Sequence, residues 1–411
     1  MTGSTIAEST PVPAKPALGA ILAGLCVTEL VSWGLLYYAF PVLAPSISAD
    51  TGWSPQLVSA GFSLSLMVSA VCGVLVGRHI DRYGPRVLMT VGSLLAAVGV
   101  MTIAAAQHPV MFYIGWVVVG AAMAGTLYPP AFAALARWFT GQKQIQAFAA
   151  LTLVAGLAST VFAPLVTFLD AEVGWRVTYL WAGAGLLAIT VPTHWILLRR
   201  TWPEETQSGT GSVATNDYVR RVVSTTRFRL LIGGLALTSL AMYAALITLI
   251  PLMLERGLSA SAAAWVLGIG GAGQVFGRLI YTAVSVRLSL ATRTFTVFAF
   301  VTAGTAAMAF VSGPLGLLIA FSVIAGIGRG VATLLQATAI PDRWGTKSYG
   351  HISGILSMAV LLAMAVGPWA GSFLAEVTGS YENAFLVFTG MASAGTVLMV
   401  LSTRPSVPPA I

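Results

Sequence analysis

Three ionisable side chains, Glu29, Arg278 and Arg329, lie deep inside long apolar runs of this 411-residue chain. A charge at the centre of a membrane helix costs roughly 2.5–3.5 kcal/mol on insertion scales, so such groups face a wet cavity or one another. At a rise of about 1.5 Å per residue, Glu29 and Arg329 sit about 16 Å from the same-side ends of their helices and Arg278 about 12 Å, so all three fit one layer. Two arginines and one glutamate leave a net positive charge there. A monovalent organic anion would neutralise it, and the planar fork of an arginine can hold a carboxylate through two hydrogen bonds. Two readings of Glu29 stay open. It either locks to one arginine as a fixed ion pair, or takes up and releases protons as the cavity changes face. Tyr37, Tyr38 and Tyr128 are candidate hydroxyl donors around a carboxylate. Tyr128 is the deepest of these, beside Pro129 and Pro130, which are expected to kink its helix.

The elements that carry these residues follow from composition. Apolar residues make up 57% of the chain and charged ones only 8%, against about 25% charged in an ordinary soluble domain. A water-facing surface cannot be built from so few charges. At about 20 apolar residues per crossing, the sequence reads as twelve transmembrane helices near 18–45, 54–77, 86–106, 109–136, 144–169, 175–198, 228–252, 260–285, 293–311, 314–339, 350–375 and 382–402. With the N-terminus inside, seventeen basic residues fall in inner loops and tails, and only Arg176 and Arg256 in outer loops. That asymmetry orients the chain with both termini cytoplasmic. The formal charge of +8 is spread over helix ends and not gathered in one stripe, which points to a membrane surface and away from nucleic acid.

The chain divides into a disordered cytoplasmic tail at 1–17, a six-helix bundle at 18–200, a polar cytoplasmic linker at 201–226, a second six-helix bundle at 227–403, and a tail at 404–411. The halves echo each other. Arg137 and Trp138 recur as Arg343 and Trp344 at an offset of 206 residues, and Arg82 recurs as Arg287 at an offset of 205. Parallel repeats of this kind place a substrate site between the halves near the midplane.

Between the second and third spans the chain reads GRHIDRYGPR, from Gly77 to Arg86. In this string Asp81 can cap a helix end and pair with a basic residue, Gly84 permits a tight turn, and Arg82 and Arg86 lie at the anionic inner surface. The string resembles the cytoplasmic signature of the major facilitator superfamily. Span number, loop position and central linker extend that resemblance over the whole chain. Three further strings, YYAFPVLAPSISADTGWS from Tyr37, LYPPAFAALARWF from Leu127 and GWRVTY from Gly174, are similar to the monocarboxylate and oxalate/formate branch. The resemblance implies an all-α membrane carrier of small organic anions, monocarboxylates among them, working by alternating access, as symport with protons or as antiport against a counter-anion. In that branch an arginine of the eighth helix contacts the carboxylate, which makes Arg278 the first choice and Arg329 the second. Classical animal monocarboxylate carriers have an acidic residue one turn before that arginine. Gln274 stands there in this chain and is a further candidate for binding the substrate.

Other chemistries find little support. Gly268, Gly270 and Gly273 spell GxGxxG, but inside an apolar run with no strand before it, where close helix packing explains them. No GxxxxGK[ST] loop occurs. His79, His108, His194 and His351 are scattered, Cys26 and Cys72 form no ligand spacing, and no nucleophile lies at a fixed spacing from a base. The expectation is therefore a monomeric carrier, not an enzyme, in a bacterial-type inner membrane, with no cofactor and no metal. A drug or specialised-metabolite efflux carrier of the same fold is the competing reading.

Overall fold

The computed structural model describes residues 17–202, 213–284, 288–344 and 349–404. The expected tails, apart from Ala17 and Arg404, lie outside the described residues, as do residues 203–212 of the linker and Arg287 of the second echo. The chain is all-helical, with no strand among the described residues. In chain order the helices are α1 (Leu18–Ser32), a π-helical turn (Trp33–Tyr38), α2 (Ala39–Thr51), α3 (Pro55–Tyr83), α4 (Pro85–Ala105), α5 (Pro109–Thr126), α6 (Tyr128–Trp138), α7 (Gly141–Ala155) and α8 (Ala158–Gly185). A second π-helical turn (Leu186–Thr190) leads into α9 (Val191–Leu197), α10 (Val213–Ser224), α11 (Thr226–Glu255), α12 (Ala260–Val284) and α13 (Leu290–Phe310). The chain closes with α14 (Leu315–Thr338), α15 (Pro341–Trp344), α16 (Tyr349–Thr378) and α17 (Tyr381–Leu401).

Local signals explain the helix starts. Pro55, Pro85 and Pro109 open α3, α4 and α5, where the missing amide hydrogen costs nothing. The hydroxyls of Ser54, Thr225, Ser289 and Ser380 accept first-turn amides of α3, α11, α13 and α17, the usual N-cap arrangement. The signature loop is shorter than its sequence suggests, because α3 continues through Tyr83 before Gly84 turns the chain with φ 80°. Polar residues after Gly77 leave the apolar span without leaving the helix.

Among the described residues eleven helical stretches are long and apolar enough to cross a bilayer, where the sequence reads as twelve. The difference lies in Gln146–Leu197, a stretch of 52 residues. Gly174 interrupts it with φ 76° and ψ 163°, a conformation open to glycine and strained for other residues. Pro129 and Pro130 fall in the first turn of α6, just after the helix breaks at Leu127. Large apolar side chains such as Val71, Phe168, Trp181, Phe310 and Val377 point outward, as a lipid-facing surface requires.

The core is divided unevenly. One end of the molecule is where the chain passes from Trp202 to Val213, here the linker end. Its clusters are local there, one built from residues 21–198 and another from 219–399. Toward the opposite end a single cluster takes in residues from Val31 to Ala392 and joins both sets of helices. Hydrogen bonds reinforce this junction. Ser59 and Ser372 share a bond of 2.7 Å, Gln56 donates to the Ser372 carbonyl, and the Trp369 amide donates to Ser63 Oγ at 3.0 Å.

Arg176 and Arg256, the two basic residues read as lying outside, hold matching places at this junction end. Arg176 donates to the carbonyls of Ala104 and Ala106, and Arg256 to those of Ala309 and Val311. The carbonyls repeat at an offset of 205 residues, yet the arginines come from non-equivalent helix ends. Arg176 lies 3.4 Å from Asp50, while Arg256 lies 4.0 Å from Glu382. Burial pushes the Arg256 guanidinium below its usual range, and Glu382 and Glu255 pull it back. At the linker end Arg343 donates to Ala339 O and Ser402 Oγ. Burial, followed by nearby Arg227, lowers it to about 10, which leaves it charged at neutral pH.

Candidate functional site

Several elements at the centre of the molecule bring polar groups into a largely apolar layer. The α1 helix places Glu29, which is fully buried. Trp33, four residues on and so on the same helical face, donates from Nε1 to Glu29 Oε2 at 3.0 Å. The other oxygen, Oε1, has no partner among the described residues. The π-helical turn that follows inserts one extra residue per turn, a device often found at functional sites, and it carries Trp33, Tyr37 and Tyr38.

The two arginines come from α12 and α14. Arg278 is half-buried and donates from Nη1 to the Thr152 carbonyl of α7 at 2.7 Å. It is also hydrogen-bonded to Tyr128 at the start of α6. Arg329 is 7% exposed, and its Nε lacks a partner among the described residues. Its charge faces the hydroxyls of Tyr38, Tyr243 and Tyr37. Tyr38 and Tyr243 lie within electrostatic reach of both arginines.

The α12 and α14 backbones approach closely enough to fix these positions. A methyl group on Gly326 would lie 1.9 Å from the Gly270 carbonyl oxygen, and one on Gly330 would lie 2.0 Å from that of Gln274. Only hydrogen fits at either position. The glycines of the GxGxxG string therefore serve helix packing.

Of the residues singled out in the sequence, Arg278 and Tyr128 come together, and Arg329 and Tyr37 come together around Tyr38 and Tyr243. Gln274 is half-buried one turn before Arg278, where its backbone packs on Gly326 and Gly330. Glu29 stands apart from the arginines. Among the described residues no ion pair joins it to Arg278 or Arg329, so the fixed-lock reading of Glu29 does not match this geometry, and the indole of Trp33 takes the arginine's place. The sequence reading also passed over Trp33 and Tyr243. The i, i+4 spacing from Glu29 was a signal for Trp33, whereas a lone tyrosine in an apolar helix gave none for Tyr243.

The signature loop lies well away, at the linker end. Gly77 lies within α3, Arg82 sits 5.2 Å from the Tyr83 ring, and Arg86 donates to the Trp195 carbonyl while its guanidinium stands 4.0 Å over the Trp195 ring. Gly84 packs against Trp202. The side chain of Asp81 lies outside the described ones. Among the described residues no group of histidine, cysteine and acidic side chains is placed to hold a metal ion.

Comparison with known proteins adds a family to this geometry. A family model described as Major Facilitator Superfamily matches residues 25–316 and 292–411. Human monocarboxylate transporter 11 is 26% identical over 417 residues, covering 95% of this chain and 85% of that one. Chicken monocarboxylate transporter 4 is 24% identical, covering 82% of this chain and 71% of its own. Among solved structures, a point mutant of the nucleoside transporter NupG superposes with a TM-score of 0.76 at 12% identity, over 93% of this chain and all of that one. A bacterial homologue of the human lysosomal transporter Spinster, in an inward-facing and occupied conformation, superposes with a TM-score of 0.67 at 16% identity, over 95% of this chain and 94% of its own. These two likenesses carry the fold alone.

Proposed function

The chain belongs to the Major Facilitator Superfamily, a transporter and not an enzyme, and from that premise we propose that it is a secondary active carrier of small organic anions, monocarboxylates first among them. The observation that carries the proposal is the uncompensated charge of the site. Among the described residues neither Arg278 nor Arg329 is paired with a carboxylate. Arg278 bonds to a carbonyl and to Tyr128, and the groups around Arg329 are neutral tyrosines. Neutral groups satisfy hydrogen bonds and leave charge behind, and a bound carboxylate removes that charge while accepting the bidentate bonds an arginine offers. Similarity to monocarboxylate transporters along most of the chain agrees with this choice of anion.

In this reading twelve helices cross the membrane, the 52-residue stretch supplying two crossings hinged at Gly174. At about 1.5 Å per residue it would otherwise be more than twice as long as a ~30 Å hydrocarbon core. Residues 18–200 and 227–403 form two bundles joined by the linker at 201–226, with both termini at the cytoplasmic face of a cell membrane of bacterial inner-membrane type. The carrier works as a monomer. The bundles rock about the central layer, which now stands joined at the junction end and separate at the linker end, and the anion enters from the cytoplasmic side in this state.

Glu29 is the coupling residue in this scheme. Its carboxyl has one oxygen bonded to Trp33 and the other open, so it can take or release a proton without breaking an ion pair to an arginine. Proton symport and exchange against a counter-anion are the two modes it would separate.

The test is uptake of labelled lactate or pyruvate into proteoliposomes holding the purified chain, with and without an imposed pH gradient. Saturable uptake that responds to the gradient is expected. Failure of every organic anion, together with energised export of a cationic dye, would favour the efflux reading and overturn this one.

A further inference from the structure

The two arginines of the site come from the second half of the chain, and the first half contributes an aromatic wall beside Arg278. Trp33 contacts Tyr37 at 5.3 Å and Tyr128 at 5.0 Å between ring centres, Tyr128 stacks on Phe132 at 5.3 Å with an interplanar angle of 24°, and Phe132 meets Phe148 edge-on at 5.0 Å. Trp33, Tyr128, Phe132 and Phe148 are each only half-buried. A ring run that served the core alone would be covered.

Its position relative to the arginine is defined by helical spacing. Phe132 follows Tyr128 by four residues on α6, and Phe148 precedes Thr152 by four on α7, where the Thr152 hydroxyl bonds back to the Phe148 carbonyl. Tyr128 and Thr152 are the two partners of Arg278. The phenylalanine pair therefore lies one turn, about 5.4 Å of helix rise, from the residues that hold the guanidinium, toward the linker end, where the two sets of helices have separate cores. That is the span between the carboxylate and the ring of a short aryl acid. The wall is also held in place, since Glu29 fixes Trp33 and Arg278 fixes Tyr128.

We infer that the anion carried here bears an aromatic ring, its carboxylate on Arg278 and its ring against Phe132 and Phe148. This rests on the organic-anion reading above and narrows it. Stacked and edge-on ring pairs gain beyond the area they bury, so the inference separates a ring from an aliphatic group of equal size.

The experiment uses the purified full chain and measures equilibrium binding of acetate, phenylacetate and cyclohexylacetate. Phenylacetate is expected to bind tighter than cyclohexylacetate by about 2- to 12-fold, the range of one ring contact. Phe132→Ala should erase that preference and leave acetate binding within about twofold of the original, and Phe148→Ala should act in the same direction. Should truncation disturb folding, Phe132→Leu keeps the bulk and removes the ring, with the same expected loss. Equal or tighter binding of cyclohexylacetate, or equal weakening of acetate in Phe132→Ala, overturns the inference while the anion reading stands. Failure of all three acids to bind overturns both.

Discussion

Replacing Gly330 by alanine tests whether the two arginines depend on the close approach of α12 and α14. The added Cβ would lie 2.0 Å from the Gln274 carbonyl oxygen, about 1.4 Å inside the 3.4 Å at which ordinary contact begins. The obstacle is backbone, so no side-chain rotation relieves it, and α14 has to move away from α12. Overpacking of this kind costs about 1–3 kcal/mol. Gly330 is next to Arg329, and Gln274 is one turn before Arg278, so the displacement falls on the spacing between the guanidinium groups. Each 1.4 kcal/mol expressed there weakens binding about tenfold. Gly390→Ala is the control, because nothing lies within 4 Å of its added methyl, and relief of glycine's unfolded-state freedom should stabilise it by about 0.4–1 kcal/mol. The assay is thermal unfolding of both purified variants, followed by carboxylate binding. Gly330→Ala should melt lower than the unmodified chain and bind more weakly, while Gly390→Ala melts no lower and binds normally. Matching midpoints and affinities for the two variants would refute the packing account.

Arg278→Lys keeps the charge but loses the planar fork, and carboxylate affinity should fall about tenfold or more; binding at the original affinity would exclude a two-bond grip. Glu29→Gln should abolish the response of transport to an imposed pH gradient while leaving carboxylate binding in place, and uptake that keeps its full pH dependence would remove Glu29 from coupling. Ser372→Ala removes the 2.7 Å bond to Ser59, worth about 0.5–1.5 kcal/mol net. Opening at the junction end should become about 2- to 12-fold more frequent, read as faster thiol labelling of a cysteine introduced at Gln56, and an unchanged labelling rate would mean that the bond does not hold that end shut.

The membrane character of the chain was legible because few charges leave no other solvent for its surface, and Gly84 marked the turn after α3. Gly174 shows where that legibility stopped. The hydropathy dip there reads as a loop between spans, whereas the chain turns on one glycine and the surrounding residues stay helical. The charged layer was legible in kind but not in pairing. Insertion cost identifies Glu29, Arg278 and Arg329 from sequence, since each is expensive wherever it points, but their partners depend on helix rotation and crossing. A carboxylate and an arginine in one layer invite an ion pair on charge alone. The i, i+4 spacing on α1 instead sets Glu29 against Trp33, and the crossing of α12 and α14 at abutting glycines sets the arginines beside tyrosines. The matching roles of Arg176 and Arg256 were hidden for a related reason. The carbonyls they bind repeat along the chain, but the arginines do not.

The central claim is that the positive charge of Arg278 and Arg329 selects a carboxylate. Paired binding of propionate and its neutral counterpart propionamide to the purified chain tests it most directly, because the two differ little in shape and differ in charge. Propionate should bind saturably and more tightly than propionamide, and that advantage should shrink in Arg278→Gln, which removes the charge. Equal binding of the acid and the amide, insensitive to Arg278→Gln, would contradict the account.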